Sequence, residues 1–243
     1  SKGAQSPHSS STSYALSNAV SMLVEVRGIG LGRTSFARRT HSSYIVARSF
    51  LESAMIHKEE LRRIIAEARD ETISARNDIV VLNEPSFYQT GVKFIDLKTG
   101  ELITLKLTVR DAENLTPSLI RSRPAGYILE SRCRKEIEIL TLLGLQVELL
   151  RKKKKFNVES FIIYEYKEAV AEWETIKPVS ATTKTFVQKK SFPEGSYYVD
   201  LHQKNANYAV SLLEPESLNG FISYRVSQAS PGDTLSFHRV MKK

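Results

Sequence analysis

The chain has 243 residues, a formal net charge of +8 and an isoelectric point near 9.5. Its 41% hydrophobic and 26% charged residues are typical of a folded protein and exclude a chain that is disordered along its whole length. No apolar run is long enough to span a bilayer, and the single cysteine, Cys133, excludes an internal disulfide and a cysteine-based zinc cluster.

The first strong pattern is an apolar run at residues 21–30, which follows a Ser-rich start. The run contains Glu25 and Arg27 and ends in glycines, which suit a sharp turn after a strand. An ionised group removed from water costs several kcal/mol unless it is paired. A carboxylate at the carboxyl end of a buried strand faces the crevice in which open α/β sheets bind ligands. The pattern therefore makes Glu25 the best candidate for a functional residue.

An alternative is that Glu25 and Arg27 pair with each other or face solvent on an edge strand. Residues two apart on a strand share a face, so a local ion pair needs no special geometry. The spacing by itself leaves both interpretations open.

A helical pattern extends from Thr40 to about Arg76. Apolar residues recur every three or four positions, and charged residues fill the other face. The pattern predicts one long helix, or two joined near His57, covering a sheet that contains the Glu25 strand. His57 and Glu60 spell H-x-x-E here, but we interpret them as i,i+3 neighbours on a solvated helix face. A zinc site needs three converging protein ligands, which two residues on one helix do not supply.

From Asp78 onward the pattern changes to period two, which predicts a domain boundary: residues 1–78 form one domain and residues 79–243 a second, β-rich domain. A helix is predicted at residues 136–143, ending at Gly144. A hairpin turn is predicted at residues 98–101. Strands are predicted at residues 79–82, 92–97, 102–109, 126–129, 145–150, 158–166, 185–187, 196–201, 209–213 and 221–226.

Two further features suggest chemistry. Five consecutive basic residues at 151–155 could neutralise phosphates, but their place between two strands favours an exposed turn, and we predict no nucleic-acid partner. Cys133 lies between Arg132 and Arg134, whose charges are expected to lower the pKa of its thiol. No partner histidine accompanies it, so a catalytic role is not predicted.

The segment Leu-Val-Glu-Val-Arg-Gly-Ile-Gly at residues 23–30 resembles the end of the catalytic domain in zinc metallocarboxypeptidases of the carboxypeptidase A type. An E-x-R motif there closes a central strand before the last long helix. The resemblance implies that Glu25 is the general base, with Arg27 in a supporting role. Residues 14–19 resemble the segment that enters this strand in bacterial members.

The β-rich block also resembles this family. Arg-Pro-Ala-Gly-Tyr-Ile-Leu at residues 123–129, residues 192–201 and Leu-Leu-Glu-Pro-Glu-Ser at residues 212–217 are similar to a C-terminal module that follows the peptidase domain in a bacterial branch. The implied fold class is α/β, the end of a mixed-sheet carboxypeptidase-like domain, followed by a mostly β, α+β domain.

The zinc ligands of the family are the main departure. The family binds zinc through an H-x-x-E pair and a later histidine, all upstream of the glutamate, whereas His8 is the one histidine before Glu25. We therefore expect the chain to hold the general base and no metal ligands. It would be the C-terminal part of a longer enzyme whose missing N-terminal part supplies the zinc site.

The resemblance implies hydrolysis of a peptide or amide bond next to a free carboxylate, with zinc as the cofactor of the full-length enzyme. A secreted or periplasmic location is expected if that enzyme has a signal peptide. The alternative is a non-catalytic, β-rich binding module for a cell-surface polymer or a protein partner. The substrate side-chain preference and the oligomeric state do not follow from the sequence.

Overall fold

The computed structural model describes residues 10–26, 28, 30, 32–169 and 176–241. In this part of the chain, the helices are α1 (Ser10–Ala15), α2 (Phe36–Ile56), α3 (Lys58–Ser74), α4 (Arg134–Leu142) and α5 (Ala206–Leu213). The strands are β1 (Ile79–Ile95), β2 (Leu102–Arg121), β3 (Gly126–Leu129), β4 (Glu148–Leu149), β5 (Lys154–Glu168), β6 (Val179–Phe192), β7 (Tyr197–Asp200) and β8 (Thr234–Val240). Helices combined with antiparallel sheets, with more strand than helix, agree with the predicted class.

The predicted helical region consists of two helices, α2 and α3, which are joined at His57, so the second of the two alternatives is the correct one. His57 Nδ1 and Glu60 Oε2 are 3.4 Å apart, and both side chains are exposed, as the i,i+3 interpretation predicts. However, α2 contains no buried residue, so it does not cover a sheet. Its apolar side chains instead border an open groove.

The strands β1 and β2 form a separate two-stranded antiparallel ribbon. The predicted turn at residues 98–101 joins them, and Gly100 has a φ of 75°, a conformation that glycine adopts without steric cost. Directly opposite residues share a face of such a ribbon. One face is therefore apolar, because Phe94 pairs with Ile103, and Val92 pairs with Leu105.

The six-stranded sheet has the order β4-β7-β3-β8-β5-β6, and its pairs are antiparallel. All four residues of β3 are buried, as expected of a central strand. Alternation sends Tyr127 and Leu129 to the larger core, which α4 and α5 complete, and Ile128 to a smaller cluster with Val158 and Phe192. The sheet is thus packed on both faces at its centre.

Four of the predicted strands are wrong or much shortened. Residues 209–213 belong to helix α5, residues 221–226 form turns, and the strand at 145–150 is reduced to Glu148–Leu149. Residues 23–26 form no strand, and Leu23, Val24 and Val26 are exposed. A strand requires a neighbouring ladder to bond its backbone groups, and no other described segment pairs with this one. Strand β8 was not predicted.

Candidate functional site

Glu25 lies on an exposed segment beside α2. The alternate residues Met22, Val24 and Val26 border a groove, whose other side is formed by the α2 residues Ser43, Val46, Ala47, Phe50 and Leu51. Glu25 is exposed and does not line this groove. Alternation thus separates an apolar side of the segment from the carboxylate, although the expected strand is absent. Among the described residues, Glu25 has no hydrogen-bond or ion-pair partner.

The other residues associated with Glu25 cannot be placed beside it. Arg27, the expected supporting residue, and His8 both lie outside the described residues. Within the described residues, no group of three or more histidine, cysteine, aspartate or glutamate side chains could hold a metal ion. The described residues therefore do not fit a zinc centre.

The most elaborate polar arrangement is a buried charge network centred on Glu214, whose side chain is completely buried. The hydroxyl of Tyr127 donates a 2.5 Å hydrogen bond to Glu214 Oε1, and Arg239 Nε lies 3.2 Å from the same oxygen. Arg239 also pairs with Glu159 and donates to the carbonyl of Ser122. Through these contacts, Tyr127 of β3 and Arg239 of β8 both bind Glu214 in the turn after α5, and Arg239 also links this turn to Glu159 of β5.

A second guanidinium completes the network. Arg121 Nη1 donates to Glu214 Oε2 at 2.8 Å and to Glu216 Oε2 at 2.7 Å, while Nη2 donates to Glu216 Oε1 at 2.8 Å. The hydroxyl and backbone N–H of Thr183 donate to Glu216 Oε1 at 2.5 and 3.0 Å. Arg121 ends β2, so this bidentate contact ties the ribbon to the six-stranded sheet.

The pKa values in the network show how burial and pairing oppose each other. Burial raises the pKa of Glu214, and Arg239, Tyr127 and Arg121 offset this only in part. Burial alone would also raise the pKa of Glu216, but the Arg121 guanidinium holds it below its usual range. Burial and then the charge of Glu214 raise the pKa of Tyr127. The phenol therefore remains a hydrogen-bond donor at neutral pH.

Residues 212–217 carry a family resemblance, but nothing in the local sequence marks Arg121, Tyr127 or Arg239 as partners of this segment. The available signal was the one applied to Glu25, a charged residue within apolar surroundings. Glu214 follows the run Ala-Val-Ser-Leu-Leu, and Arg239 lies between His238 and Val240 in a strand that was overlooked. This signal selects Glu214, whereas Arg239 stands next to the polar His238 and does not meet it.

The expectation that flanking arginines lower the pKa of the Cys133 thiol is wrong. The thiol is buried, and burial followed by the negative charges of Glu136 and Glu130 raises its pKa to about 12, despite the opposing charge of Arg132. Cys133 is therefore a protonated core residue at neutral pH. Its Sγ lies 3.6 Å from the carbonyl oxygen of Ser236.

The chain is similar to fungal proteins that are named carboxypeptidases. It is 27% identical to carboxypeptidase 2 of Trichophyton rubrum over 225 residues, which make up 93% of this chain and 42% of that protein. The carboxypeptidase 2 of Trichophyton tonsurans gives the same identity and coverage. A probable carboxypeptidase 2 of Trichophyton verrucosum is 26% identical over 206 residues, covering 85% of this chain and 40% of that protein.

These similarities support the resemblance to carboxypeptidases. They give no support to its bacterial branch, because the relatives named here are fungal.

The chain spans less than half the length of these curated relatives. No protein-family model matches the chain. No solved structure matches it either. No helix in the described part of the chain is long and apolar enough to cross a membrane.

Proposed function

We propose that this chain is the C-terminal portion of a zinc-dependent, carboxypeptidase-like peptidase that hydrolyses a peptide or amide bond next to a free carboxylate. The observation that supports this most strongly is the similarity to proteins named carboxypeptidase 2, which extends over 93% of the chain. A similarity that includes both the Glu25 segment and the β-rich block favours a shared arrangement of the two. The peptide substrate and the reaction are inferred from those relatives.

In this proposal Glu25 is the general base. Its carboxylate takes a proton from the attacking water and later delivers it to the leaving amine, a role worth about 10²–10⁴-fold in rate. Two features of the described residues are compatible with this role: Glu25 is exposed, and no described residue competes for its oxygens. Arg27 is assigned to orienting the segment rather than to contacting substrate.

The proposed zinc dependence has no support from the described residues of this chain. The described residues contain no ligand set, so the proposal places the zinc ligands outside this chain. The chain alone is then expected to bind no stoichiometric zinc and to hydrolyse no peptide. One tightly bound zinc ion per purified chain, measured by atomic emission, would contradict this assignment.

A direct test uses the whole protein encoded by the gene and a pair of peptides that differ only at the C-terminus. The proposal predicts release of the terminal amino acid from the free acid and no release from the amidated peptide. It also predicts loss of activity after treatment with a zinc chelator and recovery on adding zinc. Equal cleavage of the two peptides would contradict the carboxypeptidase assignment.

The alternative is a non-catalytic binding module. It is favoured by the location of the buried core and charge network, which belong to the β-rich block, and by the exposure of the basic residues 151–155. Absence of hydrolysis in the whole protein under all metal conditions, together with retained binding to an isolated cell-surface polymer, would establish this alternative instead.

A further inference from the structure

A cavity of about 450 Å³ lies beside the buried charge network. It is bordered by α1, by the start of β1, by α5 and by the turn that contains Glu214. Its volume is within the range of small-molecule sites, which is about 300–1,000 Å³. The cavity does not include Glu25 or the groove beside α2, so it is separate from the site of the proposed function.

Among the described residues that line the cavity, Arg123 is the one basic residue. Its Nη2 atom is buried and has no hydrogen-bond partner among the described residues. Buried polar groups in native proteins are nearly always paired, and an unpaired guanidinium nitrogen is especially costly. Burial accordingly lowers the pKa of Arg123, although a guanidinium remains charged at neutral pH.

No carboxylate among the described residues pairs with Arg123. After burial, the groups that act on its charge are the Tyr127 hydroxyl and the Arg76 guanidinium, and the latter is itself a cation. Two carboxylates line the cavity, but Glu214 is bound by Arg121 and Tyr127, and Asp78 is exposed to solvent and forms no ion pair with Arg123. The described part of the chain therefore supplies no carboxylate that compensates the positive charge of Arg123.

The remaining lining combines amide and apolar groups. Asn77 and Asn207 contribute side-chain amides, which can donate to an oxygen or accept from an N–H group. Leu16, Val210 and Leu218 contribute apolar surface. A single guanidinium matches one negative charge and, through its fork of donors, the two oxygens of a carboxylate.

From this combination we infer that the cavity at Arg123 binds a small organic carboxylate with an apolar body, held by the Arg123 guanidinium. A phosphate is less well matched, because its second charge meets no second cation in the lining. The inference concerns binding only and does not depend on the proposed peptidase activity.

The test is calorimetric titration of the chain with N-acetyl-leucine and with its uncharged analogue N-acetyl-leucinamide. We expect N-acetyl-leucine to bind at least tenfold more tightly than the amide. The inference would be overturned by equal binding of the two compounds or by no measurable binding of N-acetyl-leucine. It would also be overturned if inorganic phosphate bound as tightly as N-acetyl-leucine.

Two variants locate the binding at the cavity. Arg123→Gln removes the charge and should weaken N-acetyl-leucine binding at least tenfold, whereas Arg151→Gln, in an exposed basic turn, should leave it unchanged. Because Arg123→Gln could disturb folding, Asn207→Trp provides an independent variant, in which a large side chain on the partly exposed side of α5 occupies part of the cavity and the charge of Arg123 is kept. It should also weaken binding at least tenfold, and unchanged affinity in a folded Asn207→Trp protein would contradict the location.

Discussion

His238 is a completely buried histidine whose environment opposes protonation. Its Nε2 lies 3.1 Å from Lys190 Nζ and 3.7 Å from Glu130 Oε1, and its ring packs against Phe192. Burial, and then the charge of Lys190, lower its pKa from 6.5 to about 4, while Glu130 opposes the change and Arg132 adds to it. The folded protein therefore holds this imidazole neutral under conditions in which an exposed histidine is partly charged.

The lowered pKa of His238 predicts that the protein loses stability on acidification, at pH values above those at which ordinary carboxylates titrate. Between pH 6.5 and 4 the unfolded chain binds a proton at His238 and the folded chain does not, so stability falls as pH falls. The loss between pH 7 and pH 5 is expected to be about 2 kcal/mol. Urea unfolding should show this loss in the wild type and a smaller one in His238→Gln. The same change at the exposed His202 should leave the pH dependence intact, and equal slopes in all three proteins would refute the prediction.

Arg121 is the second residue at which a single change should have a large effect. It is 11% exposed and makes a bidentate contact with Glu216 as well as a contact with Glu214. In Arg121→Met the two buried carboxylates, Glu214 and Glu216, lose this guanidinium as a partner. The change is expected to lower the free energy of unfolding by about 3–5 kcal/mol.

The matched control for Arg121 is Arg132→Gln. Arg132 also pairs with a carboxylate, Glu130 at 3.0 Å, but its side chain is 68% exposed. Exposed ion pairs contribute at most about 1 kcal/mol, so this variant should unfold near the wild-type midpoint. Chemical denaturation of the two variants tests the comparison, and similar costs would show that burial is not what makes the Arg121 contacts important.

At the scale of the elements, Gly126 shows how closely the central strands of the sheet approach. A Cβ atom at this position would overlap the carbonyl oxygen of Val199 and lie 2.7 Å from the hydroxyl oxygen of Tyr198. The oxygen of Val199 belongs to the backbone of β7, the strand paired with β3, so it cannot move aside without disturbing the ladder.

We therefore expect Gly126→Ala to destabilise the protein by about 1–3 kcal/mol. Gly91→Ala is the control, because Gly91 is also in a strand but a Cβ there would meet only the methyl group of Thr104 at 3.0 Å. Thermal unfolding of the two variants measures the difference. A Gly126→Ala protein as stable as Gly91→Ala would show that the sheet relaxes at this point.

Elements with long, regular patterns were predictable from the sequence. The helices α2 and α3 and the turn at residues 98–101 agree with their sequence patterns because local periodicity and turn chemistry determine them. Helix α5 was predicted as a strand because a five-residue apolar run fits either element when it is buried. Strand β8 was missed because His238 and Arg239 resemble exposed residues, and their burial depends on partners distant in sequence.

The candidate site shows the same limit. The chemistry proposed for Glu25 was suggested by the local motif and the resemblance, but the strand expected around it is absent, since pairing depends on segments outside the local sequence. The buried network joins Arg121 to Glu214 and Glu216, which are 93 and 95 positions away. No local pattern predicts which of many charged residues meet over such separations.

For the whole molecule, the change of hydrophobic period near Asp78 predicts that the β-rich block folds independently. This block contains both sheets and both hydrophobic clusters. Residues 79–243 expressed alone should therefore give a β-type circular dichroism spectrum and a cooperative unfolding transition. Aggregation or a disordered spectrum would contradict the proposed division. Expression of residues 1–78 alone provides the comparison, because the described residues of this part form no such core.

The measurement that tests the central proposal most directly is the turnover of a Glu25→Gln variant of the whole protein. Glutamine keeps the shape and hydrogen-bonding reach of glutamate but cannot accept a proton at neutral pH. If Glu25 is the general base, kcat should fall by about 10²–10⁴-fold while zinc content and melting temperature stay nearly unchanged. Glu138→Gln, at an exposed position on α4, should have wild-type activity. Near-normal turnover in the Glu25→Gln enzyme would contradict the catalytic assignment, and a loss of stability in place of turnover would indicate a structural role.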